Sequence, residues 1–435
     1  MSPEEAYKYA KEYGPSKETR KIACKDPEIA YKYAKNIDKK PRNDTRNAAC
    51  KHPEFAFSYA EKIDKKPRDD TREAACEDPW WAYEYANNVD DESRNDTREA
   101  ACEDSWWAYE YAYYIDNKPR DDTREAACEN PDSAYYYAKH VDKCPRDDTR
   151  ESVCRNSRYT YFYANEIDKC PREDTREVAC KSPNIAYEYA RDVDQKPRKD
   201  TREAACKDPE YAYWYAKDID KKSREDTREA ACKGPRWAHY YALNIDEKPR
   251  EDTRNGACQD PEYAYWYAKY VDKEPRDDTR NFACENPQYA FYYARDVDKE
   301  SREDTRKATY KDLGYAYLYA KEIDKEPRDD TREIACKSPR SAYYYARYID
   351  QKSREDTRNA ACKDSEWAYY YALDIDKKSG DNTRKAACKK AKYAYLYAKD
   401  IDKEPRIETW MAVKNTEYEN KYKKLFNNLI KELII

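Results

Sequence analysis

Residues 68–90 read RDDTREAACEDPWWAYEYANNVD, and a close copy of this string returns every 26 residues. Aligned on its Thr-Arg pair, the string recurs from Thr19 through Thr45, Thr71 and Thr97 to Thr383. A sixteenth threonine, Thr409, keeps the register but is followed by Trp410 in place of arginine. No insertion disturbs the spacing. Self-similarity at a fixed period in this range is the sequence signature of a solenoid or array.

Each copy carries two helix starts. In DTRE, Asp70 is placed to cap the amides of Thr71 to Glu73 while Glu73 reaches back, a capping box with aspartate in the capping role. The short helix that follows, through Ala74, Ala75 and Cys76, should stop before Pro79. Asp78 and Pro79 then start a second helix, as cap and first helical residue. Two helices of roughly 7 and 11 residues per copy fit an α-solenoid. The expected fold is all-α, a right-handed array of two-helix repeats over residues 1–406. Residues 407–435 are expected to leave the repeat and form an amphipathic cap or docking helix, with Tyr418, Tyr422, Leu425, Leu429 and Leu433 on one face and Phe426 and Ile430 widening it.

In the copy at residues 27–38, Ala30, Tyr33, Ala34 and Ile37 fall at i, i+3, i+4 and i+7, a core stripe. Tyr31 lies about 100° to one side, placed to seal the joint with a neighbouring copy. This organisation resembles helical repeat families of the HEAT and leucine-rich-variant kind. The likeness is carried by DDTR, the small AAC, the DP break and the AYxYA helix. The AYxYARxVD segments also look like helical repeats of bacteriophage and other viral genomes. The resemblance implies a fold and almost nothing about activity. The chain departs from these families in using tyrosine where they favour leucine, and it lacks the cysteine cluster that holds an iron–sulfur centre beside some leucine-rich-variant arrays.

Composition narrows the function classes. Charged residues make up 40% of the 435, hydrophobic ones 39%, with 48 tyrosines and a net charge of −5. Acids and bases alternate, so no bulk field favours nucleic acid or an anionic membrane. No apolar run approaches a membrane span and no signal segment opens the chain, which predicts a soluble protein of the cytoplasm, or of the host cytoplasm if the source is viral.

Fourteen of the 16 cysteines share one register, from Cys24 to Cys388, and read as small buried thiols between packed helices. Cys144 and Cys170 lie off it, in consecutive KCPR loops. Three histidines and five glycines leave no zinc-ligand spacing and no phosphate-cradling loop. Paired carboxylates recur in every copy, whereas a catalytic site is normally singular. No catalytic residue, metal or cofactor is expected. The Thr-Arg arginines and the Ile/Val-Asp aspartates recur likewise and predict a structural ion-pair ladder, represented by Arg72, Arg98, Arg124 and Arg202 with Asp64, Asp90, Asp116 and Asp194.

Function in a repeat protein is written where the copies differ. The middle residue of Ala-Tyr-x-Tyr-Ala, about 200° from the core stripe, is expected to face solvent. It starts polar, at Lys32, Ser58, Glu84 and Glu110, then turns aromatic or aliphatic, with Glu188 the one exception: Tyr136, Phe162, Trp214, Tyr240, Trp266, Tyr292, Leu318, Tyr344, Tyr370 and Leu396. Earlier copies supply Trp80, Trp106 and Tyr114 to the same face. A large apolar patch marks an interaction surface, so a protein or peptide partner along this stripe is the expected function. Self-association as a particle or filament component is the alternative. Single-stranded nucleic acid stacked on the rings is disfavoured by the acidic balance.

Overall fold

The structure, a computed structural model, describes residues 1–426 and 429. Among these every regular element is a helix, and the helices follow one another as 26-residue repeats of an α-solenoid. The chain divides into two compact units, Met1–Lys221 and Lys222–Ile435. None of the described helices is long and apolar enough to cross a membrane.

The Thr71 repeat shows the plan. A first helix, Asp69–Ala75, turns at Cys76 into a second, Pro79–Tyr85, which runs on into a π-helical turn, Ala86–Asp90. Asp78 caps the second helix by accepting from the Trp80 and Trp81 amides, with Pro79 at its first position, as the sequence predicts. The first helix starts differently. Arg68 stands at its cap position without any side-chain cap, Glu73 is exposed, and Asp70 accepts from the neighbouring Thr71 N–H at 2.9 Å and from Arg68 Nε at 3.1 Å, not from the amides a cap would hold. The expected capping box is therefore absent.

Its place is taken by a tyrosine from the other helix. Tyr85 is wholly buried, and its hydroxyl accepts from the Arg68 N–H at 3.0 Å. The same oxygen lies 2.8 Å from Thr71 Oγ1 and 3.1 Å from the Arg68 carbonyl oxygen. A helix start buried against another helix must satisfy its backbone groups internally, and one phenol does so here. The clasp recurs from Thr45–Tyr59 to Thr383–Tyr397.

Arg72 completes the joint. Its guanidinium lies over the Tyr85 ring at 5.6 Å and pairs with Asp90, Nη2 to Oδ1 at 2.7 Å. Nη1 reaches Asp69 at 2.8 Å and comes within 3.7 Å of Asp96 in the next repeat. The π-turn explains how Asp90 gets there. Five residues beyond Tyr85, an α-helix would place it about 140° round the axis; the wider i→i+5 turn brings it back over the tyrosine. The opening helix Pro3–Tyr13 supports this account: it carries AYKYA but has Gly14 at the aspartate register, and it stays α-helical to its end. Each π-turn closes on a non-glycine residue with positive φ, from Lys39 to Lys403.

The core stripe is as expected, with Tyr33 and its equivalents through Tyr397 at zero exposure. Tyr9, the matching residue of the opening helix, is 48% exposed. The first tyrosine of Tyr-x-Tyr does seal the joints: Tyr31 packs on Phe55 and Tyr83 on Trp107, at 6.2 and 5.3 Å between ring centres.

Residues 407–426 correct the expected boundary. Helices Ile407–Val413 and Glu419–Phe426 form a sixteenth, degenerate repeat, with Thr409 Oγ1 2.7 Å from the Tyr422 hydroxyl. Trp410 stands where arginine stood and packs on the same tyrosine at 5.9 Å. The clasp survives a one-residue deletion and the loss of the ion pair because the threonine–tyrosine bond needs neither. Tyr422 and Phe426 are buried with Val413, Ala394 and Ala398, whereas Leu425 and Leu429 are exposed. The buried face is thus rotated from the expected one; Ile430 and Leu433 lie outside the described residues.

Candidate functional site

The ladder residues form repeating pairs between the helices of a repeat: Arg46–Asp64 at 2.6 Å, Arg124–Asp142 at 3.2 Å, Arg176–Asp194 at 2.8 Å and Arg202–Asp220 at 3.5 Å. Arg98 departs from the pattern. Ser93, where most copies have proline, donates to Asp116 at 2.5 Å, and Arg98 turns to Asp122 of the next repeat at 2.8 Å. Arg98 stays within 4.0 Å of Asp116. Arg46, Arg124, Arg176 and Arg202 are committed to carboxylates buried in their own repeat, and Arg98 to the exposed Asp122 of the next, an arrangement that serves packing.

The cysteines are equally committed. Burial pushes the Cys76 and Cys102 thiols up to about 12 and those of Cys24 and Cys50 to about 11. At neutral pH they are un-ionised and poor nucleophiles. Cys144 and Cys170 are exposed, and all the cysteines are free thiols. Among the described residues no group of three histidine, cysteine or acidic side chains is placed to hold a metal ion.

The outer face of the second helices is built in two tiers. The lower tier is a polar belt at the joints. Tyr135 donates its hydroxyl to Glu166 of the next repeat at 2.7 Å and receives Lys139 at 3.0 Å. Tyr161–Asp192, Tyr187–Asp218 and Tyr265–Asp296 repeat the bond. Lys269, Arg295 and Tyr265 together hold the Asp296 carboxyl well below the usual carboxylate range, against the opposing effect of burial.

On this belt lies the middle residue of Ala-Tyr-x-Tyr-Ala, which reaches the surface but is only partly open to solvent. Tyr136, Phe162, Trp214, Tyr240, Trp266, Tyr292, Tyr344 and Tyr370 are all half-buried, as are Lys32, Glu84 and Glu110. The reason is lateral cover: Tyr136 packs on Tyr109 and Trp106 of the preceding repeat, at 5.9 and 5.7 Å. Glu110, set among these rings, has its carboxyl pushed up by burial.

The upper tier stands one turn to either side of the middle residue. Trp80 is 47% exposed, lies flat on Trp81 at 5.0 Å and on Trp107 at 6.0 Å, and donates its indole N–H to Glu84 at 3.3 Å. Trp106 is 37% exposed and meets Tyr136 edge-on. Tyr114 is 55% exposed and packs on Tyr113 at 4.7 Å. These three match the sequence expectation. Tyr270 and Tyr348 are also exposed, stacked on Trp266 at 5.2 Å and Tyr344 at 6.0 Å, and were not anticipated. The signal for them was in the sequence, since both share the register of Tyr114 in YVD and YID segments.

Comparison with family models, curated proteins and solved structures found no match.

Proposed function

We propose that the chain is a non-enzymatic helical-repeat scaffold that holds a protein or peptide partner against the exposed rings of its second helices. The observation that carries this is the group Trp80, Trp106, Tyr113 and Tyr114, each more than a third exposed and each resting on another aromatic ring. Their torsions are already restricted by stacking, so contact with a partner freezes little further motion. Tryptophan and tyrosine in that state are the preferred hot-spot residues of interfaces. Changing Trp80, Trp106 and Tyr114 together to serine should leave the melting temperature within a few degrees, because none is part of the buried core. Affinity for the partner captured by the wild-type chain should fall at least a hundredfold, at about 2 kcal/mol or more per hot spot. A folded triple variant that keeps its affinity rejects the reading.

A second reading rests on a different observation. Ile407 and Met411, one helical turn apart, are both more than 60% exposed in the sixteenth repeat, whose second helix also exposes Leu425. These exposed apolar side chains support self-association. Light scattering decides it: mass that rises with concentration, and stops rising in Met411→Lys, favours assembly over partner binding.

A further inference from the structure

One copy departs from the others at the first tyrosine of its outer face. Among the fifteen copies that carry Thr-Arg, the first tyrosine of Tyr-x-Tyr is tyrosine or phenylalanine in all but one, where His239 stands. In the copy that follows, Tyr265, Lys269 and Asp296 form the polar joint, with the hydroxyl 2.5 Å and the ammonium 2.8 Å from the carboxylate. The three matching positions here are His239, Leu243 and Tyr270. The shorter imidazole, the missing cation and the ring in place of the acid leave a recess of about 350 Å³, walled by Tyr240, Leu243, Tyr263, Trp266 and Tyr270. Glu262 stands at its edge and fixes one wall by accepting the Trp266 indole N–H at 3.3 Å.

His239 lines this recess with 4% exposure, and its Nδ1 has no hydrogen-bond partner among the described residues. Buried polar atoms are nearly always satisfied, so an orphan one beside a cavity calls for an explanation. Burial pushes the imidazole down to about 4, so at neutral pH it is uncharged and has one nitrogen free to accept. Its ring lies 5.4 Å from Tyr240 and 6.3 Å from Tyr263. The volume is at the small end for ligand sites, and the walls are aromatic faces with two acceptors, His239 and Glu262.

We propose that this recess is a binding site for a single aromatic ring of indole or phenol size that carries an N–H or O–H donor. The ring arrives either as a free small molecule or as a side chain on a peptide. The site stands whether or not a partner lies along the exposed rings, because isolated rings suffice to test it.

The test uses the purified chain, whose three histidines make the imidazole NMR signals easy to assign with His239→Tyr. Indole should shift the His239 signal saturably, and 1-methylindole, which has no donor, should bind roughly tenfold more weakly. Saturation by indole but not by N-acetyltryptophanamide identifies the ligand as a free molecule; saturation by both identifies a peptide side chain. His239→Tyr, which restores the residue of the neighbouring copies, should fold and lose the site. If that variant is unstable, Leu243→Lys, at an exposed position, should weaken indole at least tenfold. The proposal is overturned if no ring shifts the His239 signal, if 1-methylindole binds as well as indole, or if folded His239→Tyr binds indole unchanged.

Discussion

At the scale of the residue, two tyrosines two positions apart do different work, and the copies themselves show it. The first is replaced by Phe57 and Phe291, whereas the second is tyrosine in all copies from Tyr33 to Tyr397. Only the second uses its hydroxyl to hold a buried helix start. Tyr85→Phe should therefore cost about 1–3 kcal/mol, the range for leaving buried groups unpaired. Tyr83→Phe should cost distinctly less. Urea denaturation of the two variants checks the order, and equal losses would deny the clasp its role. The spacing of these tyrosines was readable as core and joint; the hydroxyl's partner was not, because Arg68 and Thr71 lie 17 and 14 residues away on another helix.

At the scale of the element, the π-turn is the feature with a measurable cost. A buried aspartate five residues beyond the tyrosine meets its arginine only if the helix widens, and the chain must then leave through a left-handed residue. Lys65, with φ 54°, is one such exit. The left-handed conformation costs a non-glycine residue about 1 kcal/mol or more, and the strain is offset by the Arg46–Asp64 pair, whose carboxylate is almost fully buried. Lys65→Gly should raise stability by up to about 1 kcal/mol, less the entropy that glycine adds to the unfolded chain. A fall in the urea midpoint would show that the exit is not strained. The helices and the Asp78-Pro79 start were legible from propensity and capping rules. The π-turn was not, since it answers a tertiary ion pair.

At the scale of the whole molecule, the same small groups are buried many times over, so their titration adds up. Cys24 and Cys50 are pushed up by burial to about 11 and Cys76 and Cys102 to about 12, and the clasp tyrosines Tyr59 and Tyr85 are raised for the same reason. A thiol whose pKa is higher in the fold than in the unfolded chain holds its proton longer when folded. The stability it contributes is complete below the ordinary thiol value near 9 and is lost as pH rises through 11 to 12. The chain should be alkali-labile, its denaturation midpoint falling steadily above pH 9, with a shallower fall after Cys76 and Cys102 are changed to alanine. A flat profile from pH 8 to 11 would contradict this. At pH 7.5 a thiol reagent should modify chiefly Cys144 and Cys170 in the native protein.

The repeat period, the two helices per copy, the buried tyrosine stripe and the arginine–aspartate ladder were determined by the sequence alone, because each depends on local periodicity copied without insertion. Which rings stand clear of the surface was decided only by the tertiary structure. The middle residue of Ala-Tyr-x-Tyr-Ala points outward on an isolated helix, yet the rings of a neighbouring repeat lean over it and leave it half-buried. Exposure on a packed array depends on what the next copy places beside a residue, and a helical wheel drawn for one helix does not contain that neighbour.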